Sequence, residues 1–259
     1  MRLTARLALI AAVLTALVAC ARPSSPARPF GHAVSVTDLR VAPAALSDVG
    51  SGRFEVLVLV DGADGREEVR ASGAFVDGAV VIDVDLRGRF ARAADRLGQS
   101  IPRGLDTEGR IVLHGSMMYV RVPMLHELTG GLGWLSASSN EVNAAPAFES
   151  SVIDPSRLVG TLRGVVEVRE VGHEVVRGVS TAQVSTTLPD GRALDVWLDA
   201  QHLVRRLRYV LDEVGEGLGR ATITVELFDY GAPVEIELPD PGESIPYSDL
   251  VHELLEAGA

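Results

Sequence analysis

Apolar and polar residues alternate with a period of two over much of this chain, the mark of strands with one wet face. In Arg53–Val60, the residues Phe54, Val56, Val58 and Val60 fall on one side, and Asp61-Gly62-Ala63-Asp64-Gly65 supplies a turn. Glu67–Val76 follows with Val69, Ala71, Gly73 and Phe75 on one side, then the hairpin signal Asp77-Gly78. Ala79–Leu86 sets Val80, Ile82, Val84 and Leu86 against Val81, Asp83 and Asp85. Short turns between such strands predict an antiparallel meander. Gly109–His114, Met117–Val122 and Trp134–Ser138 continue the sheet. A second series is expected at Val165–Val171, Glu174–Arg177, Thr181–Leu188, Ala193–Asp199, Leu203–Leu211, Ala221–Asp229 and Val234–Leu238.

The period changes to that of a helix in three places. Phe90, Ala93, Ala94 and Leu97 lie at i, i+3, i+4 and i+7 within Arg89–Gln99. Asp154-Pro155-Ser156 opens a helix with Asp154 as N-cap and Pro155 in its first turn, a stripe of Leu158, Val159 and Leu162, and Gly164 at its end. Asp249–Leu255 closes the chain as a short helix. Pro123–Pro146 contains Gly130-Gly131-Leu132-Gly133, which breaks any helix, and is the candidate mobile lid. The expected fold is α+β and mostly antiparallel, with about ten or eleven strands on a few short helices. A sheet that large must hide one face by closing, by sandwiching, or by curling around its helices.

The N-terminus adds a different signal. Met1–Arg6 carries two arginines and no acid, and Leu7–Val18 is uncharged. Together they predict a secretory signal over residues 1–19, too short for a comfortable membrane span. Leu17-Val18-Ala19-Cys20 resembles the lipobox of bacterial lipoproteins, in which the cysteine receives acyl chains such as palmitate and becomes the mature N-terminus. An ordinary secretory signal followed by a chance cysteine is the alternative. Cys20 is the sole cysteine, so no intramolecular disulfide and no cysteine-based metal site can form. Ala21–Pro29, with its prolines and serines, reads as an extended tether. Residues 20–46 are therefore assigned to the anchor and entry segment, and 47–259 to one domain.

Composition narrows the partners. The formal net charge is −11, and loss of Arg2 and Arg6 makes the mature chain more acidic still. That balance argues against nucleic acid and against flat binding to anionic lipid. Every basic residue other than histidine is arginine, and aromatics are only 5 %, so the core is aliphatic.

The second half carries a family likeness. Asp154-Pro155-Ser156-Arg157-Leu158-Val159 and Gly172-His173-Glu174-Val175-Val176-Arg177-Gly178-Val179-Ser180-Thr181 resemble segments of the LolA/LppX-like lipoproteins. So do Val196-Trp197-Leu198-Asp199, Leu203-Val204-Arg205-Arg206 and Phe228-Asp229-Tyr230-Gly231-Ala232-Pro233-Val234. The likeness spans roughly residues 47 to 239, its first part in pattern only. It implies a curved half-barrel plugged by helices, with an apolar cavity for acyl chains. It also implies a lipid or glycolipid carrier held on the extracytoplasmic face of the cell membrane through Cys20. The candidate lining is Val56, Val58, Phe75, Ile82, Val84, Met118, Val120, Trp134, Leu158, Leu162 and Trp197. A protein-interaction or sensor module with an envelope protein partner is the competing expectation.

Catalytic and metal motifs fail at their second half. His126-Glu127, His173-Glu174 and His252-Glu253 begin a zinc-peptidase motif, but Gly130, Arg177 and Glu256 stand where its second histidine belongs. Asp83-Val84-Asp85 begins a calcium loop that Arg87 and Ala94 interrupt, so a solvated strand face is expected. Gly215-Glu216-Gly217-Leu218-Gly219 lacks a lysine and lies among acids, so a hairpin turn is expected rather than a phosphate cradle. Arg206 and Arg208 share one strand face while Arg205 points away. No cofactor and no enzymatic activity is implied.

Overall fold

The computed structural model describes residues 29–62, 65–76, 78–85, 108–121, 131–138, 141, 154–212, 220–250 and 252. The signal segment, Cys20, the helix expected at Arg89–Gln99, the Gly215–Gly219 turn and most of Pro123–Pro146 lie outside them.

Two antiparallel meanders form one open, curved sheet. The first holds β1 (Ser51–Gly62), β2 (Gly65–Val76), β3 (Ala79–Asp85), β4 (Glu108–His114), β5 (Met117–Arg121) and β6 (Trp134–Ser138). The second holds β7 (Arg169–Val176), β8 (Val179–Thr187), β9 (Ala193–Leu198), β10 (Val204–Leu211) and β11 (Arg220–Phe228). With β12 (Ser244–Pro246) the sheet has 12 strands, in the order β12-β6-β5-β4-β3-β2-β1-β11-β10-β9-β8-β7. The meanders join where β1 pairs antiparallel with β11, from Arg53 opposite Phe228 to Asp61 opposite Arg220.

Glycine and aromatic side chains interlock beside that join, between β1 and β2. Gly73 stands opposite Phe54 and Gly52 opposite Phe75. A Cβ on Gly73 would lie 2.1 Å from the Val81 carbonyl oxygen and 2.5 Å from the Phe54 ring. A Cβ on Gly52 would lie 2.7 Å from the Phe75 ring. Each ring thus lies over the opposite strand's glycine and makes its contact with bare backbone.

Two helices pack on the inner face. α1 (Val36–Val49) begins with a reciprocal capping box between Ser35 and Asp38 and ends at Gly50 in the left-handed region. The sequence pattern marks no element here and assigns residues 20–46 to the anchor and entry segment. Instead Phe30, Val34, Leu39, Ala42 and Leu46 are buried in the same core as the sheet. Pro43 obscures the helical pattern, yet it lies within α1, where it forfeits one hydrogen bond and its ring crowds the carbonyl four residues back, a cost the buried face must offset. α2 (Pro155–Gly160) runs into a 3₁₀ turn at Thr161–Gly164, capped by Asp154 as expected. Leu158, Val159, Leu162 and Val165 are buried among the core side chains that α1 joins.

Three strand expectations need correction. The strands expected at Val165–Val171 and Glu174–Arg177 are one, β7, which begins only at Arg169, ends at Val176 and shifts register between Glu170 and Gly172 at a bulge. Residues 234–238 alternate but form no strand, because β11 already has β1 and β10 on its two edges. β12 was missed: it is three residues long and pairs parallel with β6 across more than a hundred positions.

Candidate functional site

Register sets out the inner face row by row. One row reads Ala137, Met118, Leu113, Val80 and Phe75. The next reads Leu135, Val120, Ile111, Ile82, Gly73, Phe54 and Leu227. A third runs Val84, Ala71, Val56, Val225, Leu207, Val196 and Val184. Val58 heads a fourth with Ile223, Tyr209 and Leu194.

Cover over this face is unequal. On the second meander, Leu194, Val196, Leu198, Leu207 and Leu227 are 0 % exposed in the cluster that includes the α1 and α2 side chains. Side chains close on one another there and fill the space. On the first meander, Val56, Val58, Ala71, Val84, Leu113 and Val120 are only half-buried. Val58, Val56, Ala71 and Val84 form an aliphatic strip across β1–β3, and Leu113 and Val120 lie beyond the buried Ile82 and Ile111. The open apolar surface therefore lies to the side of the helices and not beneath them.

Of the eleven residues expected to line a cavity, seven are on this face, and Leu158 and Leu162 sit in α2 and the turn after it. Phe75, Ile82, Met118, Leu158 and Leu162 are core, Val56, Val58 and Val84 belong to the half-buried strip, and Val120 lies beyond it. The two tryptophans are corrections. Trp134 shares the parity of Ser136 and Ser138, opposite Ala137, and the Arg121 guanidinium sits 5.2 Å from its ring. Trp197 is 2 % exposed on the polar face. Its Nε1–H donates to Glu174 at 2.7 Å, and Arg206 and Arg208 cover the ring at 5.2 and 5.3 Å. Alternation separates Trp197 from Val196 and Leu198, but the residues that bury it come from other strands.

The polar face is laced with ion pairs. Arg177 bridges Glu55 and Glu226, Arg206 bridges Glu226 and Glu174, and Arg208 meets Asp195. Burial opposes ionisation of Glu226, yet the bonds from Arg177 and Arg206 hold its carboxyl below the usual carboxylate range. Asp83 pairs with Arg110 at 2.6 Å across β3 and β4, so it is occupied within the sheet face. A groove of about 670 Å³ on this side is lined by Glu55, Arg70, Ser72, Asp83, Arg110 and Glu226, among others. Val56, Leu57, Ala71 and Val84 line it as well, so its walls are only partly charged.

Sequence comparison finds neither a matching family model nor a matching curated protein. Solved structures give the likeness. The structural neighbours include lipoproteins. Lipoprotein LppX from Mycobacterium tuberculosis matches at 16 % identity and a TM-score of 0.49, over 78 % of this chain and 97 % of that one. LprF from Mycobacterium bovis matches at 16 % identity and a TM-score of 0.47, over 83 % and 99 %. A putative outer membrane lipoprotein-sorting protein domain from Vibrio parahaemolyticus matches at 12 % identity and a TM-score of 0.34, over 86 % and 98 %. The likeness is one of architecture.

Among the described residues, no group of three or more His, Cys, Asp or Glu side chains is arranged to hold a metal ion. No helix among them is long and apolar enough to cross a membrane. The arrangement offers apolar contact on one face and a neutralised ionic lattice on the other.

Proposed function

We propose that this protein binds the acyl chains of a lipid or glycolipid on the inner aliphatic strip and carries or presents them at the cell envelope. In this reading it is held on the extracytoplasmic face of the membrane through lipidated Cys20. One observation supports it above the rest: Val56, Ala71 and Val84 stand side by side across β1–β3, half-buried, with Val58 next along β1 and core residues alongside. Scattered apolar residues on a surface need no explanation, whereas a contiguous strip rimmed by core does. Each methylene taken out of water there contributes about 0.8 kcal/mol, so covering eight of them contributes about 6 kcal/mol. Orientation would rest on shape, because the strip carries no charged side chain among these residues. The reading calls for no covalent chemistry.

Mass spectrometry of the protein purified under gentle conditions from a lipid-rich host tests this. A stoichiometric acyl-bearing species is expected. Protein that emerges lipid-free and fails to take up a fluorescent fatty acyl probe contradicts it.

A further inference from the structure

Among the described residues β7 ends the sheet and pairs with β8 alone. An edge of that kind presents a row of unused backbone donors and acceptors. Which residues present them follows from the ladder. Arg177 and Gly178, both at positive φ, make a two-residue turn between the paired Val176 and Val179, and residues flanking such a turn bond to each other. Alternation then directs the backbone groups of Val176, Glu174 and Gly172 toward β8. Thr181 Oγ1, which donates to the Glu174 carbonyl at 2.7 Å, agrees with that direction. The N–H and C=O of Val175 and His173 therefore point outward. Beyond the bulge, Arg169 pairs with Ser185 and Glu170 with Val184, so the next outward residue is Glu170 and not Val171.

The bulge selects what can pair here. Outward groups fall at Glu170, His173 and Val175, a step of three and then a step of two. A regular strand steps by two throughout, so it would bond on one side of the bulge and miss on the other. A second β7 run antiparallel misses nowhere. With Val171 opposite Gly172 of the second copy, Glu170 meets His173 and His173 meets Glu170, outward group against outward group, about a two-fold axis.

We propose that two copies of this chain associate through β7, edge to edge and antiparallel, so that the sheet continues from one body into the other. The side chains fit the same register. Arg169 falls opposite Glu174 on the polar face, and among the described residues Arg169 makes no ion pair. Val171, 47 % exposed, falls against Gly172, beside which a Cβ would meet nothing within 4 Å. Val175, 51 % exposed, falls opposite Val168, which is half-buried against the core. No like charges face each other across these pairs. Main-chain bonds supply the attachment and these pairs fix the register, as in strand addition generally. The pairing does not depend on the acyl-binding reading.

Cysteine crosslinking in the full chain carrying Cys20→Ser tests this, at an ionic strength where the Debye length is about 8 Å and the net negative charge is screened. Val171→Cys sets one thiol of each copy beside the two-fold axis, and mild oxidation should link most of the protein into dimers. Ser116→Cys, in the exposed β4–β5 turn, should give only background. Val175→Pro removes an outward N–H that β8 does not use. It should cut the Val171→Cys yield about tenfold, while the thermal melt stays close to that of the parent. If that variant does not fold, Arg169→Glu, at an exposed side chain, sets like charges opposite each other and should cut the yield about threefold. Equal yields at positions 171 and 116, no dimer at either, or a yield untouched by these substitutions overturns the proposal. So does a Val171→Cys chain that links to another envelope protein and not to itself, which would assign the edge to a foreign strand. Lipid uptake plays no part in the readout, so failure of the pairing and failure of acyl binding are distinguishable.

Discussion

Gly73→Ala is expected to be among the most damaging single-methyl additions in this molecule. The new Cβ would sit 2.1 Å from the Val81 carbonyl oxygen and 2.5 and 2.9 Å from two atoms of the Phe54 ring. The ring can rotate or shift by a few tenths of an ångström. The carbonyl cannot, because it belongs to the β2–β3 ladder, in which Gly73 pairs with Ile82. Overpacking of a tight core costs about 1–3 kcal/mol, and a clash with backbone belongs at or above the top of that range. At about 3 kcal/mol, the melting temperature of a domain of this size should fall by roughly 6–12 °C. Chemical denaturation with two-state analysis gives the free energy, and a thermal melt followed by circular dichroism gives the temperature. A double-mutant cycle with Phe54→Leu separates the two contacts. It should recover only about 1 kcal/mol, since removing the ring leaves the clash with Val81 in place. If Gly73→Ala lies within about 0.5 kcal/mol of the parent, the close approach of β1, β2 and β3 described here is wrong.

Two further substitutions probe the polar contacts. Asp38→Asn should cost about 2–3 kcal/mol at pH 7, because the carboxylate accepts bonds from Ser35, His32 and His202. Its folded pKa is depressed, so that stabilisation is fully present above the titration range of an unfolded aspartate, about 3.9, and is lost as pH falls toward the folded value. Urea midpoints of parent and variant should therefore converge below about pH 4; a gap that widens there would refute the assignment. In a Trp134→Phe background, Glu174→Ala should leave the Trp197 N–H without its acceptor, cost about 1–3 kcal/mol, and shift the remaining indole emission. Unchanged emission would mean the ring is not held as described.

The hairpins were legible because they are local. Val56, Val58, Ile82 and Val84 declare their face by alternation alone, and Gly78, with φ of 76°, sits in the two-residue turn that its sequence announces. Cap chemistry was equally local at Asp154 and Pro155. The same chemistry was present at α1, where Ser35 and Asp38 stand three apart ahead of Leu39 and Ala42, and Gly50 follows the last turn. Pro43, among alanines next to a proline-rich tether, masked it.

What the pattern could not supply was the identity of long-range neighbours. Trp197 alternates with Val196 and Leu198 and so belongs to the other face, but Glu174, Arg206 and Arg208 bury it there as thoroughly as any core residue. Residues 234–238 alternate as well as β3 does, yet no strand edge is left for them beside β11. The aliphatic face of the candidate site was read from sequence. Its division into a filled part under the helices and an open part across β1–β3 depends on where α1 lies, and the sequence pattern does not mark α1.

Photo-crosslinking with a diazirine-bearing fatty acid, followed by peptide mapping, tests the acyl-binding strip most directly. Label is expected on β1, β2 and β3 peptides that contain Val56, Ala71 and Val84, and Val84→Asp should reduce it at least tenfold while the fold persists. Label that falls on the peptides of β7 to β10, or on no peptide above background, would contradict the account.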